Sequence, residues 1–362
     1  MIKKTFLAVW LCLSFISLEA RKKVVYFEPG PVGDMFNLNH PSHNRDNILL
    51  PFYELKVALE KLGYDVRTTS RLDNLHDADH IVCFSVLTRL QDLRKYPKSK
   101  CILFLWEPPT VTPENYYPGN HEYFGKVYTW QDDLVDNEKY FKFFDPTPAY
   151  PMVDVVPFGQ KKNFVMLTQG IHRSHPLSLT SERWKIVDFF EKNYEGDFDL
   201  WGRRWPKGYS KNYKGTTPTK IECFKNYKFS FCYENMRDVQ GYITAQKIFN
   251  SFAASCVPIF WGASNVEKYI PKSCFIDKRD FPTYEELCFF LKNMPQEKYE
   301  EYLQNIRSYL ASSQALLFSP VFFIDTVIRS FDPGYSRWTA FTEQQLAELE
   351  RVEQYLKEHP LF

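Results

Sequence analysis

The stretch from Tyr227 to Ser264 constrains the fold most. It reads YKFSFCYEN, then a segment containing QGYITAQKIFN, then VPIFWGAS. Two runs of strand formers flank a helix-forming segment. Strand, helix and strand in that order belong to a parallel sheet, because parallel neighbours need a long crossover. The pattern repeats along the chain. KKVVYFE is a strand, and Ile48, Phe52, Leu55, Leu59 and Leu62 follow at helical spacing with Gly63 as a stop signal. DHIVCFSVL, KCILFLW and GKVYTW are short apolar runs of the buried parallel-strand type. NFVMLTQ, LTSERWKIVDFFEKNY, DFDLWG, CVPIFWG and SCFID continue the alternation. TYEELCFFLKNM opens with Thr283 and Glu286 in capping-box spacing, a further helix covers roughly 296–311, and Thr342 and Gln345 cap a last one.

Proline breaks the alternation once. Residues 143–163, FFDPTPAYPMVDVVPFGQKKN, have no helical period and carry Pro146, Pro148, Pro151 and Pro157. They divide the chain into a first α/β domain over 22–145, a linker over 146–162 and a second α/β domain over 163–335. A terminal helix over 340–360 has a narrow apolar stripe of Leu346, Leu349, Val352 and Leu356 that must dock somewhere. With 362 residues there is material for two such domains.

At the N-terminus, Lys3 and Lys4 precede an apolar stretch from Phe6 to Leu18, with Ala20 at a small-residue cleavage position. The stretch is shorter than the roughly 20 residues of a spanning helix. It reads as an export signal over 1–20, or else as a short membrane anchor. The expected location is therefore the Golgi lumen in a eukaryote or the cell envelope in a bacterium. Lys and Arg number 45 against 44 Asp and Glu, so no broad positive field favours nucleic acid. Of eight cysteines, Cys83, Cys101, Cys232 and Cys256 lie in apolar runs and none forms a C-x-x-C pair, which points to buried small hydrophobes.

Chemistry-bearing positions are few. Asp197 and Asp199 form a D-x-D triplet, but it runs into the strand LWG and reads as a strand entry. His172 and His175 have no further ligands at metal-site spacing, so no metal is expected. Glu107, in LFLWEPP, lies just past an apolar strand, where α/β folds place their ligand crevice and where a carboxylate can act as a general base. Arg183 and Lys247 each lie near a helix start. Helix N-termini attract anions, so two such cations can clamp one diphosphate. The plainer alternative for each is a solvated loop or helix residue.

The block from FSFCYENMRDVQGYIT through KIFNSFAASCVPIFWGASNVEKYIPKSCFIDKRDF resembles the donor-binding signature of glycosyltransferase family 10, the α-1,3/4-fucosyltransferases. HPLSLTSERWKIVDFFEKNYEGDFDLWGRRW resembles the preceding stretch, and LWEPPTVTPENY with KVYTWQDDLVDNEKYFKFF the acceptor-side domain; together these cover about 76–335. The resemblance implies a GT-B architecture, two Rossmann-like domains facing a central cleft. It implies inverting transfer of fucose from GDP-fucose to a glycan hydroxyl, with no obligatory metal cofactor. It assigns Glu107 as general base, and Arg183, Asn235, Tyr242, Gln246 and Lys247 to the donor. One departure stands out. The family has a glutamate directly before the lysine; this chain has Ala245 and Gln246 there, one residue more and no charge. That leaves two other readings open, a catalytically weak nucleotide- or glycan-binding protein on the same fold and a transferase for another GDP-sugar.

Overall fold

The computed structural model describes residues 21–28, 34–40, 43–69, 75, 77–86, 90–148, 152, 156–170, 175–194, 196–217 and 219–361. The candidate signal over 1–20, part of the proline-rich linker and His172 lie outside them. The first half contains β1 (Val24–Glu28), α1 (Leu50–Lys61), β2 (Asp65–Thr68), β3 (His80–Cys83), β4 (Cys101–Leu105), α2 (Pro118–His121), β5 (Lys126–Thr129) and β6 (Tyr140–Lys142). The second contains β7 (Asn163–Thr168), α3 (Thr180–Asn193), β8 (Phe198–Trp201), α4 (Lys220–Phe224), β9 (Tyr227–Tyr233), α5 (Ala245–Ala253), β10 (Val257–Trp261), β11 (Ile276–Asp277), α6 (Tyr284–Lys292) and α7 (Gln296–Leu310). Three C-terminal helices follow: α8 (Pro320–Phe331), α9 (Arg337–Ala340) and α10 (Glu343–Glu358).

The strands form two parallel sheets, ordered β2-β1-β3-β4-β5-β6 and β11-β10-β9-β7-β8. Their central strands are buried on both faces, as the unbroken apolar runs require: all five residues of β4 are buried and six of seven in β9. Register is set by the same runs, with Ile259 opposite Phe231 and Leu103 opposite Val127. Strand order reverses between β1 and β3 in one sheet and between β7 and β9 in the other. Ligand crevices of open α/β sheets lie at such reversals, beyond the carboxyl ends of the strands.

The chain crosses between the halves twice. Helix α8 begins at Ser319, whose hydroxyl accepts from the Phe322 N–H, and its buried Val321, Phe323, Ile324, Val327 and Ile328 join the core of the first sheet. Residues 320–331, which the sequence places within 163–335, thus pack on the first half against α1. Helix α10 carries the expected Thr342–Gln345 capping box and docks there through Leu346 and Leu349.

A polar seam fixes the two halves where they meet. Asp132, past β5, accepts from Lys142 Nζ (2.6 Å), Tyr269 Oη (2.6 Å) and Asn265 Nδ2 (2.7 Å). Asn265 Oδ1 in turn accepts from the Gly241 N–H at 2.8 Å. Gly241 has φ +78°, and a Cβ there would lie 2.3 Å from the Trp130 carbonyl oxygen. Only glycine suits both the conformation and the approach.

Candidate active site

Glu107 follows β4, Asp145 follows β6, and Asn235 follows β9 after Glu234; all lie beyond the carboxyl ends of their strands. The loop after β9 turns back through Gly241 and starts α5 at Ala245. That helix forms because Ile248, Phe249, Phe252 and Ala253 present one buried face, and burial of each large side chain is worth about 1.5–3 kcal/mol. Lys247 is its third residue. A cavity of about 80 Å3 lies between the halves, lined among others by Glu107, Asp145, Asn235, Tyr242 and Lys247. The Tyr242 ring packs 4.5 Å from that of Trp130, another wall of the cavity.

The charges here are paired. Lys247 Nζ donates to Glu234 Oε2 at 2.5 Å and to Asn235 Oδ1 at 3.3 Å. Glu234, fully buried, also accepts from the Thr244 N–H through Oε1 at 2.7 Å, and so caps α5 from outside it. Burial lowers the Lys247 ammonium below its ordinary range, opposed by Glu234.

Arg183 lies deeper. Its side chain is fully buried, and its guanidinium donates to the carbonyl oxygens of Gly170 (2.7 Å), Glu234 (2.8 Å) and Tyr233 (3.3 Å) and to Asn235 Oδ1 (3.1 Å). It plugs the crevice at the β7/β9 reversal. Burial lowers it to about 10, so it stays charged at neutral pH. Both cations named from the sequence therefore meet at one oxygen, Asn235 Oδ1. Lys247 and Asn235 face the cavity; Arg183 stands behind Asn235. Gln246, the second residue of α5, is half-buried and outside the cavity lining.

Glu107 is raised above the usual carboxylate range by burial and, less strongly, by Glu234, while Lys247 pulls it down. Two acids escape the sequence reading. Glu234 directly precedes Asn235 in the quoted motif, and Asp145 opens the proline-rich stretch, one residue past two buried phenylalanines. For Glu234 a carboxylate at the end of an apolar run was the available signal, the same one that singles out Glu107. Lys220, at the start of α4, is a cation that escapes it as well: its backbone N–H donates to Asp46 Oδ1 at 2.7 Å, and burial with the positive charges of Arg45 and Lys247 lowers its ammonium to about 8.

Asp197 and Asp199 stand at the far edge of the second sheet, tied to Lys292 (2.6 Å) and to Tyr227 (2.6 Å) respectively. No group of three or more His, Cys, Asp or Glu suited to a metal occurs among the described residues. The seven described cysteines are free. No described helix is long and apolar enough to cross a membrane.

This architecture is a GT-B fold, two parallel α/β domains with a site in the cleft between them. Solved structures of similar fold include an α1,3-fucosyltransferase (TM-score 0.52, 14 % identity, covering 90 % of this chain and 93 % of that one). A glycosyltransferase from Rickettsia africae ESF-5 is another (TM-score 0.54, 10 % identity, 86 % and 98 %). Residues 167–318 match the profile of glycosyltransferase family 10 (fucosyltransferase) C-term. It is 32 % identical over 79 residues to the alpha-(1,3)-fucosyltransferase FucT of Helicobacter pylori, covering 22 % of this chain and 16 % of that protein. It is 29 % identical over 210 residues to the 4-galactosyl-N-acetylglucosaminide 3-alpha-L-fucosyltransferase 9 of Mus musculus, covering 58 % and 53 %. The chain thus spans about half, or less, of the length of these curated relatives.

Proposed function

We propose that this protein is an inverting fucosyltransferase that moves L-fucose from GDP-fucose to a hydroxyl of a glycan acceptor, in α-1,3 linkage to N-acetylglucosamine. One observation carries the reading: Glu107 from the first domain meets Asn235 and Lys247 from the second in a single cavity. The names of the two relatives support the donor sugar and linkage, and that of the mouse protein the acceptor.

The chemistry follows from the charges. Glu107 removes the proton of the acceptor hydroxyl as its oxygen bonds to the anomeric carbon. The bond from that carbon to the diphosphate oxygen breaks on the opposite face, and its electron pair leaves with GDP. Lys247 and the N-terminus of α5 oppose the negative charge that builds there, where electrostatic stabilisation is most effective. Arg183 holds Asn235 and the end of β9 in place behind them. The cavity of about 80 Å3 is smaller than the several hundred Å3 of typical ligand sites, so donor entry requires the cleft to widen.

A second reading has its own support. Lys247 is already neutralised by Glu234, and Gln246 replaces an acidic donor contact implied by the family. Both favour a protein that binds a nucleotide weakly and transfers nothing. Incubation of the chain lacking residues 1–20 with GDP-fucose and a panel of acceptors separates the two. Transfer with inversion, surviving EDTA, is expected. GDP binding without turnover favours the second reading; faster use of another GDP-sugar overturns the donor; metal-reversible loss in EDTA overturns the metal-free mechanism.

The departure at Gln246 gives a graded test. Gln246→Glu restores an anionic acceptor in the first turn of α5, where negative charge is also favoured by the helix dipole. It is expected to tighten GDP-fucose binding by about 1 kcal/mol in titration calorimetry. Unchanged or weaker affinity removes Gln246 from the donor site.

A further inference from the structure

Asp145 has no role in the chemistry above, yet it is the most unusual group in the cleft. Its side chain lines the same cavity as Glu107 and Lys247. The residue is only 9 % exposed, and Oδ1 is buried with no hydrogen-bond partner among the described residues. The N–H of Ala245, the first residue of α5, is the backbone donor that acts on this carboxyl. A buried polar atom left unpaired forfeits its hydration with nothing in return, so an orphan of this kind calls for an explanation.

We propose that Asp145 is a donor-binding residue that works as a neutral carboxylic acid, accepting from Ala245 through one oxygen and offering the O–H of the other to the diphosphate of the bound nucleotide. The proposal rests on the nucleotide-sugar reading above. Its geometry is set by α5. A group bonded to the Ala245 N–H stands at the helix N-terminus and near Lys247, where the diphosphate belongs on that reading. An ionised Asp145 there would repel the phosphates; a protonated one donates to them.

The surroundings favour the protonated form. Facing Asp145 are Glu107 beyond β4, Glu234 at the end of β9, Tyr242 in the loop before α5, and Lys247 with the Ala245 N–H on α5 itself. Burial, then Glu234, then Glu107 push Asp145 up, against the Ala245 N–H and Lys247, to about 8. A carboxyl raised in the folded state contributes stability that is fully present below its unfolded value near 4 and is lost as pH rises through 8. The amide introduced by Asp145→Asn mimics the neutral acid, with an acceptor oxygen and a donor nitrogen, and cannot ionise.

Two measurements on Asp145→Asn, beside the unsubstituted chain and Asp145→Ala, decide the matter. The first needs no ligand. The melting temperature of Asp145→Asn relative to the unsubstituted chain should climb as pH rises from 4 to 8 and then level off; a constant difference means that Asp145 is ionised in the folded protein and overturns the proposal. The second is GDP affinity by calorimetry. At pH 7 Asp145→Asn should stay within a few-fold of the unsubstituted chain, and Asp145→Ala should lose about tenfold, the equivalent of one hydrogen bond to a charged group. From pH 7 to 9 the unsubstituted chain should lose about tenfold more than Asp145→Asn, the factor expected one unit above the titration. Equal losses in both, full affinity in Asp145→Ala, or no binding by a folded Asp145→Asn overturns the role of Asp145 while the nucleotide reading stands. Absence of GDP binding by the unsubstituted chain at every pH overturns that reading, and this proposal with it.

Discussion

Replacing Glu107 by glutamine is expected to cut fucose transfer by roughly 10²–10⁴-fold, the usual contribution of a general base, while GDP affinity stays the same. Glutamine keeps the shape and can still accept a hydrogen bond, but it cannot take the acceptor proton. The fall should therefore appear in kcat at saturating donor and acceptor. The pH profile gives a second signature. Burial holds the Glu107 carboxyl above its ordinary range. A base must be ionised to act, so transfer by the unsubstituted chain should fall as pH drops through that raised value, and the residual activity of Glu107→Gln should lack this limb. Unchanged turnover at saturation would remove Glu107 from the mechanism and leave Asp145 and Glu234 as the carboxyls of the cleft to be tested in its place.

Why Glu107 was visible in the sequence and Asp145 was not is a matter of local pattern. LFLWE ends a long apolar run, and the buried strand β4 is apolar at every position. Asp145 follows β6, a three-residue edge strand whose residues are all half-buried, so no clear run leads up to it. The prolines after it then read as linker. The edge strand β2 is hidden for the same reason: DVRT has no buried residue. Central strands are legible because both faces must be apolar, whereas edge strands need satisfy only one neighbour. Helix α8 fails differently. PVFFIDTVIRSF is almost continuously apolar at its start, and such a run does not declare its period. Its capping serine and N-terminal proline were the readable marks.

The site shows the same limit at the level of charge. The resemblance assigned Arg183, Asn235, Tyr242 and Lys247 to the donor, and Asn235 Oδ1 does receive both cations. Spacing could not show how the cations are satisfied within the folded chain. Arg183 is bonded to backbone carbonyls that only the folded β7/β9 crevice brings together. Glu234 is the neighbour that neutralises Lys247, and its importance comes from its complete burial.

That pairing makes Lys247→Met the most informative substitution in the second domain. The lysine side chain is 15 % exposed and its glutamate partner 0 %, so methionine would leave Glu234 buried with the Thr244 N–H as its remaining bond. Breaking a buried pair by removing one partner costs about 3–5 kcal/mol, because the uncompensated charge stays inside. A loss of that size is expected in denaturant unfolding of Lys247→Met. Adding Glu234→Gln should restore much of it, since the second change removes the stranded charge. GDP binding should part from stability in the double variant. If Lys247 meets the diphosphate, affinity falls in the single variant, by about 1.5–3 kcal/mol for a hydrogen bond to a charged group, and is not recovered in the double. Recovery of both stability and GDP affinity in the double variant would mean that Lys247 exists to neutralise Glu234 and that the phosphates are held elsewhere, with Lys220 beside Arg45 as the next cation to test.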